Sequence, residues 1–213
     1  MASAPSSTPR PCRSGDPHGA VGIHLPRAAR DLVKILVTGP FGVGKTTLIG
    51  SVSEIRPLHT EERLTEASCQ VDDLAGVRDK TTTTVAIDFG RISLPGEVVL
   101  YLFGTPGQER FRSLWDDIAY GALGALVLVD ARRIDASFDV LGLVEEAGLP
   151  YAVAFNAFPD APRHHTEEQL RTALDLEPAT PLVTCDARER NSCADALLAL
   201  VRHLIDRHTP ERR

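Results

Sequence analysis

Residues 39–47 bring together the groups that bind a polyphosphate, in the order that this chemistry requires. They read G-P-F-G-V-G-K-T-T, a full match to G-x-x-x-x-G-K-[ST], in which glycines let backbone N–H groups point inward at phosphate oxygens. Lys45 reaches the outer phosphates of such a ligand, and the Thr46 hydroxyl is placed for Mg²⁺. The stretch predicts a nucleoside triphosphate site; a glycine-rich turn that binds nothing is the plain alternative.

The elements that must position this loop are visible on either side of it. The apolar run 32–38 predicts a strand before the loop, and a helix is expected from Lys45 to about Ile55, ahead of Pro57. The positive N-terminal end of that helix would face the same anion. The residues expected to contact the nucleotide here are Gly39, Phe41, Gly42, Val43, Gly44, Lys45, Thr46 and Thr47.

Beyond the loop, strand and helix patterns alternate. A polar connection without a clear period covers 56–80, which is unusual in a compact domain unless it is a working loop. Further strands are expected at 81–89, 98–103, 122–129, 151–155 and 182–184, the first two as a hairpin. Further helices are expected at 112–120, 137–147, 167–173 and 192–207. The pattern predicts an α/β fold with a mostly parallel sheet, helices on both faces, and ligands at the carboxyl ends of the strands.

The composition is that of one globular domain with short appendages. The 213 residues carry a net charge of −6, which gives nucleic acid no general electrostatic attraction. Residues 1–30 are rich in Pro, Ser and Arg and are expected to form a disordered tail. Residues 31–208 are expected to form the domain and residues 209–213 a flexible end.

The cysteines and apolar segments bear on the cellular compartment. The 4 cysteines show neither metal-ligand spacing nor a C-x-x-C pair, which favours a reducing, cytoplasmic setting. No apolar run approaches the ~20 residues that span a bilayer, and no signal peptide is apparent. Membrane contact is therefore expected only through partners.

Several motifs, in order along the chain, resemble those of the small Ras-like GTPases. They are the P-loop, the threonines of 81–84, P-G-Q-E-R-F at 106–111, N-A-F at 156–158 and C-D-A-R at 185–188. The stretches 80–90 and 102–108 more closely resemble the conservon GTPases of actinomycetes, and more distantly the bacterial gliding-motility GTPases. The resemblance implies a P-loop NTPase fold of small G-protein type that binds GTP or GDP with Mg²⁺.

The resemblance also implies roles for individual residues. Thr46 and Thr84 would hold Mg²⁺, with Thr83 as a rival for Thr84 and ordinary strand-forming threonines as the alternative. Gly107 would offer its N–H to the γ-phosphate and Gln108 would orient the attacking water, unless Gln108 is an incidental surface amide. Loss of the γ-phosphate would then release both loops.

Two departures from the family pattern affect the expected chemistry. Ras-like proteins carry an acid at the position of Gly104, which helps to hold Mg²⁺ through water, so weaker metal dependence is expected here. Phe41 stands where Ras has glycine, near the catalytic glutamine, and its ring would crowd the water or an incoming arginine. Slow intrinsic hydrolysis is therefore expected.

The residues that would read the base are altered as well. Where the family has N-K-x-D, the chain has N-A-F-P at 156–159, so the carboxylate is displaced to Asp160 or lost. The loop 185–188 resembles the S-A-K motif, in which the Ala187 N–H would meet the guanine O6. Weakened contacts should reduce the preference for GTP. The residues expected near the base are Asn156, Phe158, Asp186, Ala187 and Arg188.

For several other charged and aromatic residues the sequence leaves two interpretations open. Asp130 follows a buried strand and is expected to make loop or helix-cap hydrogen bonds. Trp115 is expected either in a partner-facing patch or in the core. Arg78, Arg91 and Arg110 are solvated charges by default, with a transition-state arginine as the alternative.

The function favoured by these features is a GTP-binding molecular switch that hydrolyses GTP slowly and signals through the loops around Thr84 and Gln108. The alternative is a nucleotide-dependent scaffold that binds GTP but barely hydrolyses it. An ATP-using kinase fits less well, because no lid-like arginine cluster appears. The resemblance implies a roadblock-type regulator and a sensor kinase-like protein as partners, with recruitment to the membrane through them and no nucleic acid.

Overall fold

The computed structural model describes residues 31–63, 84–106, 114–158 and 165–208. The predictions that lie outside these ranges concern the tail 1–30, the end 209–213 and the residues Arg78, Thr83, Gly107, Gln108, Arg110 and Asp160. In chain order the elements are β1 (Asp31–Thr38), α1 (Lys45–Val52), β2 (Leu58–Arg63), β3 (Thr84–Leu94), β4 (Val98–Gly104), α2 (Trp115–Ala119), β5 (Gly124–Val129), a 3₁₀ segment (Ala131–Ser137), α3 (Phe138–Glu146), β6 (Tyr151–Asn156), α4 (Glu167–Ala173), β7 (Leu182–Cys185) and α5 (Arg190–His208). No helix within the described ranges has both the length and the apolar character needed to cross a bilayer.

The strands of the described chain form one sheet in the order β2-β3-β4-β1-β5-β6-β7. β3 is antiparallel to both of its neighbours, and the remaining neighbours are parallel. The predicted mostly parallel α/β sheet and the predicted hairpin are therefore confirmed. Because β1, β4, β5, β6 and β7 run in one direction, their carboxyl ends lie along one edge, where ligands of such sheets bind.

Side chains of the central strands alternate between two cores, one on each face of the sheet. Ile35 and Val37 pack with α1 and α5, whereas Leu36 between them packs with α2 and α3. Every residue of β5 is buried, as expected of a strand covered on both faces. Trp115 is 6% exposed and belongs to the second core, which decides against a partner-facing position.

The polar connection expected at 56–80 begins with a strand that the sequence does not predict. Strand β2 reads L-H-T-E-E-R and, among the described residues, pairs with β3 alone, from Leu58 opposite Phe89 to Arg63 opposite Thr84. A strand at the edge of a sheet needs no alternation of apolar residues, so periodicity could not reveal it. Charged residues on such an edge also discourage pairing with other chains.

Helix α1 ends at Val52, earlier than the predicted end near Ile55. Ser53 is already extended, with ψ of 138°, while its N–H still donates to Ile49 O at 3.0 Å. Its hydroxyl oxygen accepts the N–H groups of Ile55 and Arg91, at 3.2 Å each. A serine hydroxyl thus satisfies two backbone donors at the point where the chain leaves the helix.

Helix α1 lies so close to β3 that a side chain at position 90 has no room. A Cβ built on Gly90 would lie 2.7 Å from Ile49 Cγ2 and 3.3 Å from Ser53 Cβ. We expect Gly90→Ala to lower the free energy of unfolding, measured by urea denaturation, by about 1–3 kcal/mol, because the methyl group overpacks this contact.

Gly142→Ala in α3 is the matched control. Nothing lies within 4 Å of a Cβ at that position, so the better helix propensity of alanine should raise the same free energy by ~0.5–1 kcal/mol. A Gly90→Ala variant as stable as the parent would show that the helix and strand are not in close contact.

Candidate functional site

The P-loop joins the carboxyl end of β1 to helix α1. Gly39 has φ of 142°, and a Cβ there would lie 2.5 Å from Leu128 O; Gly44 has φ of 107°, and its Cβ would lie 2.7 Å from Asn156 Nδ2. Both positions combine a left-handed backbone with a close neighbour, so they require glycine. The first turn of α1 leaves backbone N–H groups without helical partners and directs its positive end at the loop.

Lys45, the first residue of α1, turns its side chain back into the loop. Its Nζ donates to the backbone oxygen of Gly39 at 2.7 Å and to that of Pro40 at 2.9 Å, and the residue is 9% exposed. Burial lowers the pKa of Lys45 to about 8, against the opposing effect of the Asp88 charge. An ammonium held in this partly dehydrated loop attracts a polyphosphate more strongly than a solvated one.

A carboxylate that has no role in the predicted site lies beside Thr46. Asp88 on β3 is 8% exposed and accepts a hydrogen bond from Thr46 Oγ1 with its Oδ2. Because β3 pairs antiparallel with β4, Asp88 lies directly opposite Gly104. A Cβ on Gly104 would lie 2.9 Å from Asp88 Cβ and 3.2 Å from Asp88 Oδ2. The Asp88 side chain, together with Ile49 Cδ1 at 3.0 Å from the same Cβ, therefore fills the space that a side chain at position 104 would need.

This arrangement bears on the expected metal dependence. Gly104 carries no carboxylate, as predicted, but the facing strand places the Asp88 carboxylate beside the Thr46 hydroxyl. The weaker metal dependence expected from Gly104 stays a prediction. The Thr46 hydroxyl and the Asp88 carboxylate are the hard oxygen donors that Mg²⁺ prefers. In the part of the chain that the structure describes, no three His, Cys, Asp or Glu side chains gather as a metal cage. Mg²⁺ commonly uses one or two protein carboxylates with substrate phosphates and water, so this donor set fits it.

The segment after β5 places a second cation at the P-loop. Arg133 has φ of −148° and ψ of 57°, which interrupts the 3₁₀ segment Ala131–Ser137. Its Nη2 donates to the backbone oxygen of Phe41 at 3.1 Å. The Phe41 ring itself is 65% exposed, so it stands at the open side of the loop, where it can crowd an incoming group.

Asp130 anchors this segment. It is fully buried and accepts from the backbone N of Arg132 at 2.9 Å and from its Nε and Nη2 at 2.9 and 2.8 Å. Burial would raise the pKa of Asp130, but the hydrogen bonds from Arg132 hold it below its ordinary value. The Arg132 guanidinium lies over the Phe158 ring, 3.8 Å from its centroid. The expected capping role of Asp130 is confirmed, and Arg132 links the segment after β5 to the one after β6.

Asn156, the last residue of β6, joins the P-loop to the segment after β7. Its Nδ2 donates to Val43 O at 2.8 Å, its Oδ1 accepts from Ala187 N at 3.0 Å, and it is 4% exposed. Ser51 Oγ donates to Ala187 O at 2.7 Å. The Ala187 N–H is thus engaged within the protein, and the predicted contact with guanine O6 would require that hydrogen bond to be shared or exchanged.

The segment after β7 carries an ion pair at its surface. Asp186 Oδ2 accepts from Arg188 Nη2 at 2.6 Å, and Oδ1 accepts from Arg188 N and Nε at 3.0 and 2.9 Å. These hydrogen bonds lower the pKa of Asp186 to about 2. Beneath the pair, the buried Cys193 donates from Sγ to the backbone oxygens of Asp186 and Ala187, at 3.3 Å each. The backbone of this segment is therefore held from below as well as from the P-loop side.

Comparison with known families shows where the chain belongs. The sequence model of a family described as conserved hypothetical ATP binding protein matches residues 37–207. The chain belongs to this family. The match runs from the end of β1 to the end of α5, so it includes the P-loop, Asp88, Asn156 and the segment after β7.

Two individual proteins resemble this chain over different shares of their length. An uncharacterized protein of Methanocaldococcus jannaschii is 31% identical over 129 residues, which are 60% of this chain and 71% of that protein. The Ras-related protein Rab-11C of Dictyostelium discoideum is 30% identical over 105 residues, which are 48% of this chain and 38% of that protein. The chain thus spans well under half of the Rab relative.

Among solved structures, the G domain of the T. maritima FeoB iron transporter matches with a TM-score of 0.56 and 17% identity. The match covers 81% of this chain and 98% of that one. At this identity the likeness shows the fold alone. The family member described here is a P-loop nucleotide-binding domain with the fold of a small GTPase, as predicted; the finer resemblance to the conservon GTPases stays a prediction.

The structure brings most of the predicted site residues to one edge of the sheet. Those at this edge are Gly39, Phe41, Gly42, Val43, Gly44, Lys45, Thr46, Thr47, Asn156, Phe158, Asp186, Ala187 and Arg188. Thr84 is the first residue of β3 and pairs with Arg63, and its role with Mg²⁺ stays a prediction. Gly107 and Gln108 lie outside the described residues, so their roles stay predictions too.

The sequence motifs gave no site role to Asp88 or Arg133. A signal for Asp88 exists: it is the one acid of β3, and residues 88 and 104 lie symmetrically about Gly96 in the hairpin. Because of that symmetry, Asp88 faces Gly104, the position at which Ras-like proteins carry their acid. No comparable signal points to Arg133, because its position depends on an interrupted 3₁₀ turn.

Exchanging the facing residues tests the position of the acid. We expect Asp88→Gly to reduce the stimulation of nucleotide retention by Mg²⁺ by about 10–100-fold, because an oxygen donor beside Thr46 is lost. Gly104→Asp alone should destabilise the fold, since its side chain would clash with Asp88. The double variant Asp88→Gly, Gly104→Asp should regain most of the Mg²⁺ effect. Dissociation rates of a fluorescent nucleotide with Mg²⁺ or chelator measure this, and an unchanged Mg²⁺ effect in Asp88→Gly would contradict the assignment.

The lowered pKa of Lys45 predicts proton uptake on nucleotide binding. Burial holds the pKa near 8, whereas a bound polyphosphate favours the charged ammonium and raises it again. Above about pH 8, binding should therefore take up part of a proton, and affinity should fall as the pH rises. Folding without nucleotide depends on pH in the opposite direction. Above about pH 8 the unfolded lysine binds more protons than the folded one, so the contribution of Lys45 to the free energy of unfolding becomes more favourable as the pH rises.

Titration calorimetry in buffers of different ionisation enthalpy measures the uptake. Lys45→Arg is the control, because a guanidinium stays protonated throughout this pH range. It should bind nucleotide without the pH-dependent uptake. Equal uptake in the parent and in Lys45→Arg would assign the proton to a different group.

Proposed function

We propose that this chain is a GTP-binding molecular switch that hydrolyses GTP slowly. The observation that carries the proposal is the group formed by Lys45, Thr46 and Asp88 within a fold of small-GTPase type. It combines a buried cation for phosphates with two oxygen donors for a metal. A turn that binds nothing would have no use for a buried ammonium and a buried carboxylate, because burying charged groups costs free energy.

The residues of this group have distinct parts in the proposal. Lys45 and the backbone N–H groups of the P-loop neutralise the outer phosphates. Thr46 and Asp88 would hold Mg²⁺, with Thr84 as a further candidate, and the ion when bound supplies positive charge to the phosphate oxygens. Gln108 would orient the attacking water.

The end of β4 supports a response to the terminal phosphate. Thr105 N donates to Val37 O at 3.0 Å, and Thr105 Oγ1 donates to Thr38 Oγ1 at 2.8 Å. These bonds fix the chain beside the P-loop immediately before residues 107–108. On the same side, Asp88 places β3 in contact with Thr46. Both β3 and Thr105, the residue directly after β4, are therefore attached where a γ-phosphate and its metal would be sensed.

Slow turnover is proposed because of Phe41. The residue is 65% exposed at the P-loop and occupies the position where Ras has glycine, so its ring would narrow the approach to the terminal phosphate. The second candidate function, a scaffold that binds GTP but barely hydrolyses it, rests on the same ring. The two candidates differ in the rate of hydrolysis and share the nucleotide.

Partners are proposed on the resemblance to conservon GTPases. A roadblock-type regulator and a sensor kinase-like protein would engage the nucleotide-dependent segments in the cytoplasm and bring the chain to a membrane. The net charge of −6 supports the absence of a nucleic-acid partner, since it offers phosphate backbones no general attraction.

Single-turnover phosphate release distinguishes the switch from the scaffold. We expect the GTP-loaded parent chain to release phosphate more slowly than about once per minute. Gln108→Leu should abolish release, because it removes the amide that orients water, and should still retain GTP. Lys45→Ala should instead lose nucleotide retention. GTP that stays intact for hours in the parent favours the scaffold, and release that is unchanged in Gln108→Leu rules out the role of Gln108.

A further inference from the structure

The two ends of a bound nucleotide can be assigned to opposite sides of the P-loop. Thr46 contacts Asp88 on β3, so the metal and the terminal phosphates lie on the side of β3 and β4. Strands β5, β6 and β7 lie on the other side of β1. A nucleoside triphosphate held by its phosphates at the P-loop therefore extends its base toward the carboxyl ends of β6 and β7.

The segments after β6 and β7 pack directly against the P-loop on that side. A Cβ on Gly44 would lie 2.7 Å from Asn156 Nδ2 and 3.3 Å from Ala187 Cβ. Asn156 also bridges Val43 O and Ala187 N, at 2.8 and 3.0 Å. The backbone around Ala187 therefore forms one wall of the site, on the side where the base would lie. Asp186, the residue before Ala187, belongs to the same wall.

Asp186 is the acid of this wall. Asn156 is 4% exposed, and both ends of its amide are hydrogen-bonded within the protein, so it holds the wall together and has little capacity left for a ligand. Among the described residues 156–158 and 185–188, Asp186 is the one with a carboxylate. Its side chain keeps 27% of its surface exposed.

We propose that Asp186 supplies the carboxylate that recognises guanine, in place of the acid that the chain lacks at Pro159. This inference rests on the proposed function and adds the residue that sets its base preference. Guanine presents two adjacent donors, the ring N1–H and the 2-amino group, which a carboxylate can accept together. Adenine has an acceptor at N1 and no 2-amino group, so the same carboxylate disfavours it.

The ion pair with Arg188 prepares Asp186 for this role. Arg188 donates three hydrogen bonds to the carboxylate, and Oδ2 accepts only one of them, so Oδ2 keeps capacity for a further donor. The Arg188 side chain is 58% exposed and has room to move aside, which would free Oδ1 for a second donor. The Arg188 backbone N–H would still hold Oδ1, and a charged acceptor that stays oriented discriminates well, because less conformational entropy is lost on binding.

Calorimetric titration with GTP, XTP and ATP in the presence of Mg²⁺ tests the proposal. Xanthine carries a carbonyl oxygen where guanine has the 2-amino group. In Asp186→Asn the amide oxygen accepts N1–H while the amide NH₂ donates to that carbonyl. We expect Asp186→Asn to bind GTP about 100-fold more weakly and XTP at least ~10-fold more tightly than the parent, with ATP changed by less than ~3-fold.

Two variants make the same chemical change elsewhere. Asp195→Asn alters an exposed acid on α5 and should keep the GTP to XTP ratio of the parent. Asp160→Asn alters the rival acid beyond β6. A switch to XTP in Asp160→Asn but not in Asp186→Asn overturns the proposal. Because the expected result includes a gain of XTP binding, a misfolded variant cannot imitate it.

The parent chain separates this inference from the proposed function. If the parent prefers GTP over ATP by ~100-fold or more and Asp186→Asn keeps that preference without gaining XTP, the role of Asp186 alone is overturned. If the parent binds ATP as tightly as GTP, the guanine-nucleotide switch itself fails, whatever the variants do.

Discussion

The nucleotide site depends on the burial of one positive charge. Lys45 is 9% exposed, and its ammonium is held by two carbonyl oxygens of the loop that it also serves. Taking an ammonium out of water is costly, and the carbonyl dipoles and the nearby Asp88 offset only part of that cost. An incoming polyphosphate offsets more of it. The affinity of the site for anions therefore comes from an unfavourable feature of the folded protein.

The rest of the fold keeps that charge in place. The buried strand β1 leads into Gly39, and Asn156 at the end of β6 fixes the backbone of Val43. On the opposite side, Gly90 lets β3 approach α1 closely enough for Asp88 to meet Thr46. Strands β1 and β6 thus hold the P-loop and the wall on the side of the base, while the antiparallel strand β3 places Asp88 next to Thr46.

What the sequence predicts well is what lies close together along the chain. The P-loop motif is nine consecutive residues that run from the end of a strand into a helix, and the continuous apolar run of β5 predicts a strand covered on both faces. The role of Asp88 cannot be predicted in this way, because it depends on the register of β3 against β4, which no single segment specifies. Strand β2 cannot be predicted because a polar edge strand carries no pattern of buried residues. The position of Arg133 cannot be predicted because one irregular backbone residue decides where its side chain points.

The facing of Asp88 and Gly104 also constrains how such a site can change during evolution. The two positions share one space, so a side chain at one excludes a side chain at the other. A single substitution that added or removed an acid here would leave either two crowded acids or none, so the two positions are expected to change together. A search for the acid at position 104 alone finds glycine, although the neighbouring strand places a carboxylate beside that position.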